Sequence, residues 1–455
     1  MNVGRPDKIV LLGFLSHFPV AGVAWQTIHY LVGFQKLGYE VYYVEAHGCT
    51  PSKLMQSETD DGACRAAAYI EAIMRRVGLE HRWAYHSLYD SRYFGLSKVQ
   101  LKEVYQSAAL LINLHGSHLP TPDLAATGRL VYLETDPVDV QIDLFHEKAE
   151  TLEYLSPHCA FFTFGENLGN PDCLVPAPQR FHFLPTRQPV VMDYWEDHGR
   201  GASECFTTIG NWRQPWREFT YKGEVYRWSK DLEFQKFLDL PSRAQGPFEL
   251  ALSSFTEDDR RMLEGKGWRI RPALEISSGL DIYRRYIAES RGEFTVAKEQ
   301  NVRLRSGWFS ERAATYLAAG RPVINQETAF SKGLPTGEGL FAFSSMDEAL
   351  GAVEAINSDY ERHRQAARKI AKEFFSHEVV LGRMLQNLGL GKRTQAAAPT
   401  PILPSELVIV PTGRWPTRLA EKTLEVASGL PVPVVIRPEA VSGSEASIVL
   451  VTHNG

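Results

Sequence analysis

One segment of the chain combines a glycine, a helix start and several arginines. The run Arg303–Arg312 (RLRSGWFSER) contains Ser306 and Gly307, and a helical pattern follows it and stops at Gly320. Free N–H groups at a helix start, together with the positive end of the helix dipole, attract phosphate groups. Ser310 is a suitable N-cap, and Gly307 permits close backbone approach. The segment therefore predicts an anion site at the start of this helix.

The charged side chains of the same segment suit a diphosphate. Arg303, Arg305 and Arg312 supply fixed positive charge, and Glu311 offers a carboxylate that can accept hydrogen bonds from sugar or ribose hydroxyls. The alternative is a well-capped core helix with solvated arginines.

A second candidate for phosphate binding follows a predicted strand at 205–209. Gly210 and Asn211 form the turn after this strand, and backbone N–H groups in such a turn suit an anion. A simple strand-to-helix turn explains the same two residues.

Candidate bases also follow predicted strands. His115 and His118 flank Gly116-Ser117 after one strand, and Asp136 lies in the turn before Pro137 after the next. A histidine or a carboxylate there can take a proton from an acceptor hydroxyl. The alternatives are structural histidines and a turn in which the Asp side chain binds its own backbone. Three further residues at strand ends are predicted to lie on the acceptor side: His17, Gly22 and Glu166.

Alternating strand and helix patterns position these residues. Lys8–Phe14 is a nearly continuous apolar run, 23–37 has helical spacing and ends at Gly38, and 40–44 is a second strand. This βαβ unit implies a parallel sheet, whose ligands bind at the carboxyl ends of its strands. The pattern recurs to 164 and, after an irregular crossover at 182–194, again from 205 to 390.

The predicted fold class is therefore α/β, with two Rossmann-like parallel-sheet domains that face a cleft. We expect the first domain at 1–190 and the second at 191–390, with the last helix able to return to the first domain. Residues 391–404 (GKRTQAAAPTPILP) have the composition of a linker, and 405–455 have the pattern of a short α/β appendage.

The composition argues against nucleic-acid-binding, membrane-spanning and metal-binding proteins. The 455 residues carry 49 Lys+Arg and 54 Asp+Glu, a net charge of −5 that argues against a nucleic-acid partner. The uninterrupted apolar runs are too short for a transmembrane segment. The five cysteines show no metal-ligand spacing, so we expect no metal site and a reducing, cytoplasmic location.

The helix-Gly-strand stretch 316–323 (YLAAGRPV) resembles the EAxAxGxPV stretch of group 1 glycosyltransferases, which have the GT-B fold. Ser310-Glu311-Arg312 resembles the CgeB-like subgroup of that family. The opening, Lys8–Glu45, is similar to the family's first strand, helix and second strand. The resemblance implies that the first domain binds an acceptor and the second a nucleotide-sugar donor.

The sequence departs from that family at two positions. Where the family has a Glu that binds the donor ribose, this chain has Thr315, and Gly307 replaces the companion Glu eight residues earlier. Glu311 is the hypothetical substitute. The departure leaves both the donor and the stereochemical outcome open. An inverting enzyme would use Asp136 or His115 as its base, and a retaining one would need no such base.

The end of the chain carries a separate resemblance. Residues 446–455 (ASIVLVTHNG) are similar to the first strand of family 2, GT-A-type glycosyltransferases. This predicts that the chain is a fragment of a longer, two-transferase protein. The alternative is a small appendage on the main body.

The sequence as a whole predicts a metal-independent glycosyltransferase with no cofactor besides its co-substrate. The donor would be a UDP-, GDP- or TDP-linked sugar, and the acceptor hydroxyl would belong to a glycan, a natural product or a protein. Two alternatives stay open: a nucleotide-sugar epimerase of the same architecture, and a non-catalytic binding or scaffold module attached to a downstream transferase.

Overall fold

A computed structural model of the chain describes residues 7–196 and 203–390 and three strands within 407–452. The chain divides into two compact units, Met1–Thr394 and Gln395–Gly455, which are described separately. Within the described residues of the first unit, two parallel sheets form two domains.

The first domain is built on an eight-stranded sheet with the order β4-β3-β2-β1-β5-β6-β7-β8. All neighbouring strands are parallel except β4, which runs antiparallel to β3 at the edge. The strands are β1 (Lys8–Leu12), β2 (Glu40–His47), β3 (Trp83–Ser87), β4 (Arg92–Gly95), β5 (Ala108–Leu114), β6 (Leu130–Glu134), β7 (Ala160–Thr163) and β8 (Phe183–Pro185).

Six helices accompany this sheet in the described part of the first domain. The longest, α1, buries most of its residues, as its helical run of apolar side chains requires. The helices are α1 (Ala21–Lys36), α2 (Gly62–Arg76), α3 (Lys98–Ser107), α4 (Pro122–Ala125), α5 (Asp139–Phe145) and α6 (Ala149–Leu155).

The second domain is built on a six-stranded parallel sheet with the order β13-β12-β9-β14-β15-β16, and a separate antiparallel hairpin, β10-β11, follows β9. The strands are β9 (Phe206–Asn211), β10 (Phe219–Tyr221), β11 (Glu224–Tyr226), β12 (Phe248–Ser253), β13 (Arg269–Pro272), β14 (Gly292–Thr295), β15 (Val323–Gln326) and β16 (Leu340–Phe343). Taken in chain order without the hairpin, this is the 3-2-1-4-5-6 order of dinucleotide-binding domains.

Ten helices belong to the described part of the second half. They are α7 (Asp231–Gln235), α8 (Leu240–Arg243), α9 (Glu257–Gly265), α10 (Ala273–Ser277), α11 (Leu280–Glu289), α12 (Glu299–Arg303), α13 (Glu311–Ala318), α14 (Met346–Ser358), α15 (Tyr360–Ile370) and α16 (His377–Asn387). A π-helical turn, Ala371–Phe375, joins the last two.

The two domains share one hydrophobic core. Trp25 of α1 donates from its indole nitrogen to the carbonyl of Leu280, 3.0 Å away. The last helix, α16, returns to the first domain, where a β-carbon placed on Gly33 would lie 2.6 Å from Leu381. The two sheets are therefore held together along α1. The strand order reverses between β1 and β5 in the first sheet and between β9 and β14 in the second.

The α/β fold class with two Rossmann-like domains is confirmed. The crossover predicted to be irregular at 182–194 contains β8 and a 3-10 turn, Met192–Trp195. The two prolines in this segment argued against a strand. The structure nevertheless has a short one there, because edge strands tolerate proline. Within the described residues no helix is long and apolar enough to cross a bilayer.

In the second unit, three strands are described, and they form one sheet. β17 (Leu407–Thr412) pairs in parallel with β18 (Val434–Ile436) and antiparallel with β19 (Ser447–Thr452). The predicted linker at 391–404 and the parts of the predicted α/β appendage between these strands lie outside the described residues.

Candidate functional site

Two cationic side chains meet where the second sheet reverses its strand order, and a third, Lys298, is close enough to act on the charge of the first. Lys230 directly precedes α7, Lys298 directly precedes α12, and Arg312 lies in the first turn of α13. Lys230 Nζ lies 3.4 Å from Thr295 Oγ1 at the end of β14, and Arg312 Nη2 lies 3.0 Å from the same hydroxyl. We call Lys230, Lys298 and Arg312 the cationic cluster.

Lys230 is buried without an anionic partner. Its residue is 8% exposed, and within the described residues its ammonium group forms no ion pair, only the contact with Thr295. Burial, with the neighbouring charges of Arg312 and Lys298, lowers the pKa of Lys230 well below its usual value, although the nearby carboxylates of Glu293 and Glu311 act in the opposite direction. Burying an unpaired cation costs free energy, which a bound anion would offset. Lys230 therefore marks a place where an anion is favoured.

All three nitrogens of the Arg312 guanidinium contact acceptors of the protein itself. Its Nε lies 2.5 Å from Oε1 of the buried Glu293, and its Nη1 donates to the carbonyl of Ile209, 2.5 Å away. The guanidinium thus joins β9, β14 and α13. It contributes positive charge to the cluster, but its donors are engaged by the protein itself.

The start of α13 adds backbone donors. Ser310 is the N-cap, with its hydroxyl oxygen accepting from the N–H of Ala313 at 3.2 Å. Among the described residues, the N–H groups of Glu311 and Arg312 meet no protein acceptor. Free amides at a helix start bind anions, and these two lie on the residues that begin the helix beside Lys230.

Glu311 and Thr315 lie one helical turn apart and face the first domain. Both line a small cavity whose other walls include Gly22 and Gln26 of α1. Within the described part of the chain, the Glu311 carboxylate forms no hydrogen bond or ion pair, whereas the Thr315 hydroxyl donates to the carbonyl of Arg312 at 2.6 Å. Glu311 is therefore a free acceptor in the space between the two domains.

Gly210 and Asn211 form the carboxyl end of β9, beside the cluster. A β-carbon on Gly210 would meet no atom within 4 Å, and Asn211 is exposed. The preceding carbonyl, of Ile209, is the one that accepts from Arg312. The prediction that these two residues form the turn after the strand is wrong, because both still pair with β12, at Leu252 and Ser253. The end of the strand is nevertheless open next to the cluster.

The loop before α13 does not present the amides that its sequence suggested. The N–H of Gly307 donates to the carbonyl of Thr328 at 2.7 Å, and the Ser306 hydroxyl donates to Asn301 Oδ1 at 2.8 Å. A β-carbon on Gly307 would lie 2.4 Å from the backbone nitrogen of Asn167 in the first domain. This glycine serves contact between the domains rather than approach to a phosphate.

Arg303 and Arg305 are also engaged elsewhere. Arg303 pairs with Glu299 at 2.5 Å and with Glu224. Arg305 Nη2 lies 2.9 Å from Asp172 Oδ2. Since both guanidinium groups are neutralised by carboxylates distant in sequence, the structure does not bring them to Lys230.

Replacing Gly307 by Ala is expected to lower the free energy of unfolding by several kcal/mol without changing the affinity of the cationic cluster for inorganic diphosphate. Its φ of +80° disfavours any β-carbon, and the contact with Asn167 adds a clash. Urea denaturation measures the loss, and calorimetry measures the affinity.

Gly351→Ala is the matched control, because Gly351 lies inside α14 with no atom within 4 Å of a new β-carbon. It should stabilise the protein by about 1 kcal/mol. A selective loss of diphosphate binding in Gly307→Ala would show instead that this loop holds the anion.

Asp136 joins the two domains. Its Oδ2 accepts from Lys298 Nζ at 2.7 Å and from the indole nitrogen of Trp228, and Arg217 lies 3.6 Å away. Lys298 also stacks on the Trp228 ring, 3.6 Å from its centroid. Because Oδ2 is engaged by two cations and an indole from the second domain, this placement favours a bridging role over that of a base.

His115 is held in the turn after β5. Its Nδ1 lies 2.6 Å from Thr135 Oγ1, its ring packs on Phe14, and its Nε2 is enclosed without a partner among the described residues. Burial lowers the pKa of His115 to about 3. An imidazole that so resists protonation is poorly suited to accept a proton.

His118 and Glu166 likewise have protein partners. His118 Nε2 lies 3.0 Å from the carbonyl oxygen of Gly13, and burial lowers its pKa to about 3. Glu166 receives both Nε and Nη2 of Arg187, at 2.5 and 2.7 Å. Both residues therefore fix loops at the carboxyl edge of the first sheet.

The structure shows a further cluster of polar side chains at that edge, which the sequence analysis did not predict. Glu45, near the end of β2, is fully buried and accepts from Ser16, Tyr43 and His47. The His17 ring lies 4.0 Å from the His47 ring, and burial, together with His47, lowers the pKa of His17 to about 4. The period-two spacing of Tyr43, Glu45 and His47 on one strand face was the available signal.

Comparison with solved structures identifies the architecture. HepE from Anabaena, in complex with UDP and glucose, aligns with a TM-score of 0.50 and 11% identity over 84% of this chain and 99% of that chain. A second structure of HepE, in complex with UDP, aligns with the same values. This chain has the GT-B fold. No protein family's sequence profile and no curated protein sequence matches it.

Within the GT-B fold, the structure brings together part of the predicted site. Gly210, Asn211, Ser310, Glu311, Arg312 and Thr315 lie around the end of the second sheet and the start of α13, and Gly22 faces them from α1. Sequence reasoning missed Lys230, Lys298, Glu45 and His47. Lys230 lies twenty positions after Gly210 with a hairpin between them, so no local motif connects the two.

Proposed function

We propose that this protein is a glycosyltransferase that moves a sugar from a nucleoside-diphosphate donor to an acceptor hydroxyl. The observation that carries the proposal is the buried, unpaired Lys230 beside Arg312 at the reversal point of the second sheet. Ligands of open parallel sheets bind at such reversal points, and a diphosphate supplies the negative charge that this place favours.

The second domain supplies what the departing diphosphate needs. Negative charge grows on the leaving group as the bond between the sugar and the phosphate breaks. Lys230 and the N–H groups of Glu311 and Arg312 are fixed before the reaction, so they stabilise that charge without reorganising. Transfer independent of metal ions is part of the proposal, because these groups carry the stabilisation.

Glu311 is proposed to bind donor hydroxyls. It is the free carboxylate at the start of α13, and it lies one turn before Thr315, where the resembling family has its ribose-binding Glu. The HepE structures hold UDP, and one of them also holds glucose. They make UDP the first nucleotide to test.

Three finer assignments belong to the same proposal. Membership of the CgeB-like subgroup rests on Ser310-Glu311-Arg312, and the start of a second transferase rests on the stretch 446–455. A cytoplasmic location rests on the five cysteines, all of which are free thiols.

Purified protein is expected to bind UDP and to hydrolyse one sugar nucleotide in a panel of UDP-, GDP- and TDP-sugars. Water takes the place of the acceptor in this assay. Calorimetry reports binding, and release of the nucleoside diphosphate reports turnover. Activity should persist in EDTA, because the protein's own cations stabilise the leaving group.

The same assay separates the alternatives. An epimerase would convert the sugar while leaving it attached to the nucleotide. A non-catalytic module would bind the sugar nucleotide without releasing nucleoside diphosphate from it. Absence of both binding and turnover across the panel would contradict the proposed function.

A further inference from the structure

We infer that Asp136 anchors a strap that covers the anion site, and that this strap must detach from the first domain before a diphosphate can enter. The strap is the segment 215–228, which contains the hairpin β10-β11. The inference rests on the proposed function, since it takes the cationic cluster as the place where the diphosphate binds. It adds how that place is opened and which residues keep it closed.

The cationic cluster is almost closed to solvent in this structure. Lys230 and Arg312 are each 8% exposed, and the side chain of Lys298 is 12% exposed. Because so little of these side chains is open, a diphosphate can contact them only after a covering element has moved. The structure therefore describes a closed state of the site.

The strap is the element that covers the cluster on one side. The ring of Trp228, at the end of the strap, lies against Lys298, with 3.6 Å between Lys298 Nζ and the ring centroid. The strap begins shortly after Asn211 at the end of β9, and Lys230 follows soon after its other end. Both ends of the strap thus connect to residues of the anion site, so its movement uncovers Lys298.

One carboxylate of the first domain anchors the polar part of the strap. Asp136 Oδ2 accepts from the indole nitrogen of Trp228 and lies 3.6 Å from Nη1 of Arg217, and both partners belong to the strap. The same oxygen accepts from Lys298 Nζ at 2.7 Å. Asp136 therefore fastens the strap and a member of the cationic cluster to the first domain at one point.

Apolar contacts fasten the hairpin of the strap. The ring of Tyr221 in β10 meets the ring of Phe145 in α5 edge to face, with 5.2 Å between the centroids. Tyr221 and Tyr226 also belong to one buried cluster with Val138 and Ile142 of the first domain. Phe145 itself is 52% exposed, so its contact with Tyr221 can be removed without opening the core.

The two fastenings determine how often the site is open. Only molecules whose strap is detached admit the ligand, so binding slows in proportion to the fraction of molecules that are closed. A change that weakens either fastening raises the open fraction. Such a change is therefore expected to speed the association of a diphosphate.

The test measures association of inorganic diphosphate with the full-length protein by stopped-flow tryptophan fluorescence. Trp228 and Trp308 report on the site, because both rings lie beside Lys298. Asp136→Asn should bind about 5-fold faster or more, the lower end of typical coupling between sites. Amide hydrogen exchange in β10 and β11 should rise in the same variant, because the strap is detached more often.

Phe145→Ala separates detachment of the strap from a change of charge. It removes an apolar contact of the strap and leaves every charge in place, so it should also speed association and raise exchange in the hairpin. It carries the test alone if Asp136→Asn does not fold. Asp172→Asn is the matched control. Asp172 likewise joins the domains, but through Arg305 and Lys332, which lie outside the strap, so its association rate should equal that of the wild type.

An unchanged association rate in Phe145→Ala, or an equal rise in Asp172→Asn, would overturn this inference and leave the proposed function standing. Faster association in Asp136→Asn alone would overturn it too, because the effect would then be one of charge. A protein that binds neither diphosphate nor UDP in any of these forms would overturn both.

Discussion

Lys230→Met is expected to lower turnover of the donor by at least about 10²–10³-fold, the cost of removing one preorganised group that stabilises a developing negative charge. The same change should raise the melting temperature. Met fills a similar volume and removes a buried ammonium group that has no anionic partner among the described residues. Steady-state kinetics and thermal unfolding of the same samples measure both effects.

Lys236→Met is the control for this variant. Lys236 lies directly after α7, is more than half exposed and pairs with Glu233 at 2.7 Å. Its replacement should leave turnover unchanged, while the loss of the cation beside the buried Glu233 should lower the melting temperature rather than raise it. If Lys230→Met retained activity, or if it unfolded the protein, Lys230 would be a structural residue and the anion site would lie elsewhere.

Arg312→Met is expected to lower the free energy of unfolding by about 3–5 kcal/mol, because it leaves the fully buried Glu293 without its cation. Loss of the donors to Ile209 and Thr295 adds to the effect. The sequence predicted that this arginine binds a diphosphate, with a solvated arginine as the alternative, and in either case its loss would spare the fold. Urea denaturation of the variant and the wild type distinguishes a structural role of Arg312 from a role in ligand binding alone.

The double variant Arg312→Met/Glu293→Leu isolates the cause. Removing both charges replaces a buried ion pair by apolar side chains, so the double variant should recover most of the stability lost in Arg312→Met. Both variants should remain impaired in turnover, since the positive charge beside Lys230 is gone. Equal stability of the wild type and Arg312→Met would contradict the structural role.

The sheet strands were predictable because parallel strands buried on both faces have continuous apolar sequences. The run Lys8–Phe14 is an example, and strand β1 covers Lys8–Leu12 of it. Strands β5 and β12 are apolar and largely buried in the same way. Strands that are short or half-exposed carry no such signal. The hairpin β10-β11 and the edge pair β3-β4 were missed for that reason.

Prediction of the site was limited by partners distant in sequence. Arg303 and Arg305 have the composition of a phosphate clamp, yet Glu224 and Asp172, 79 and 133 positions away, neutralise them. Lys230 has no distinctive sequence context, and only the fold places it beside Arg312. The sequence therefore predicted an anion site at the start of α13 but did not indicate the lysine that lies beside it.

A crystal structure of the protein with UDP tests the central claim most directly. We predict that an oxygen of the diphosphate lies within hydrogen-bonding distance of Lys230 Nζ and that another accepts from the N–H of Glu311 or Arg312 at the start of α13. A diphosphate bound away from Lys230, against Gly307 and Arg303 or outside the second domain, would contradict the account.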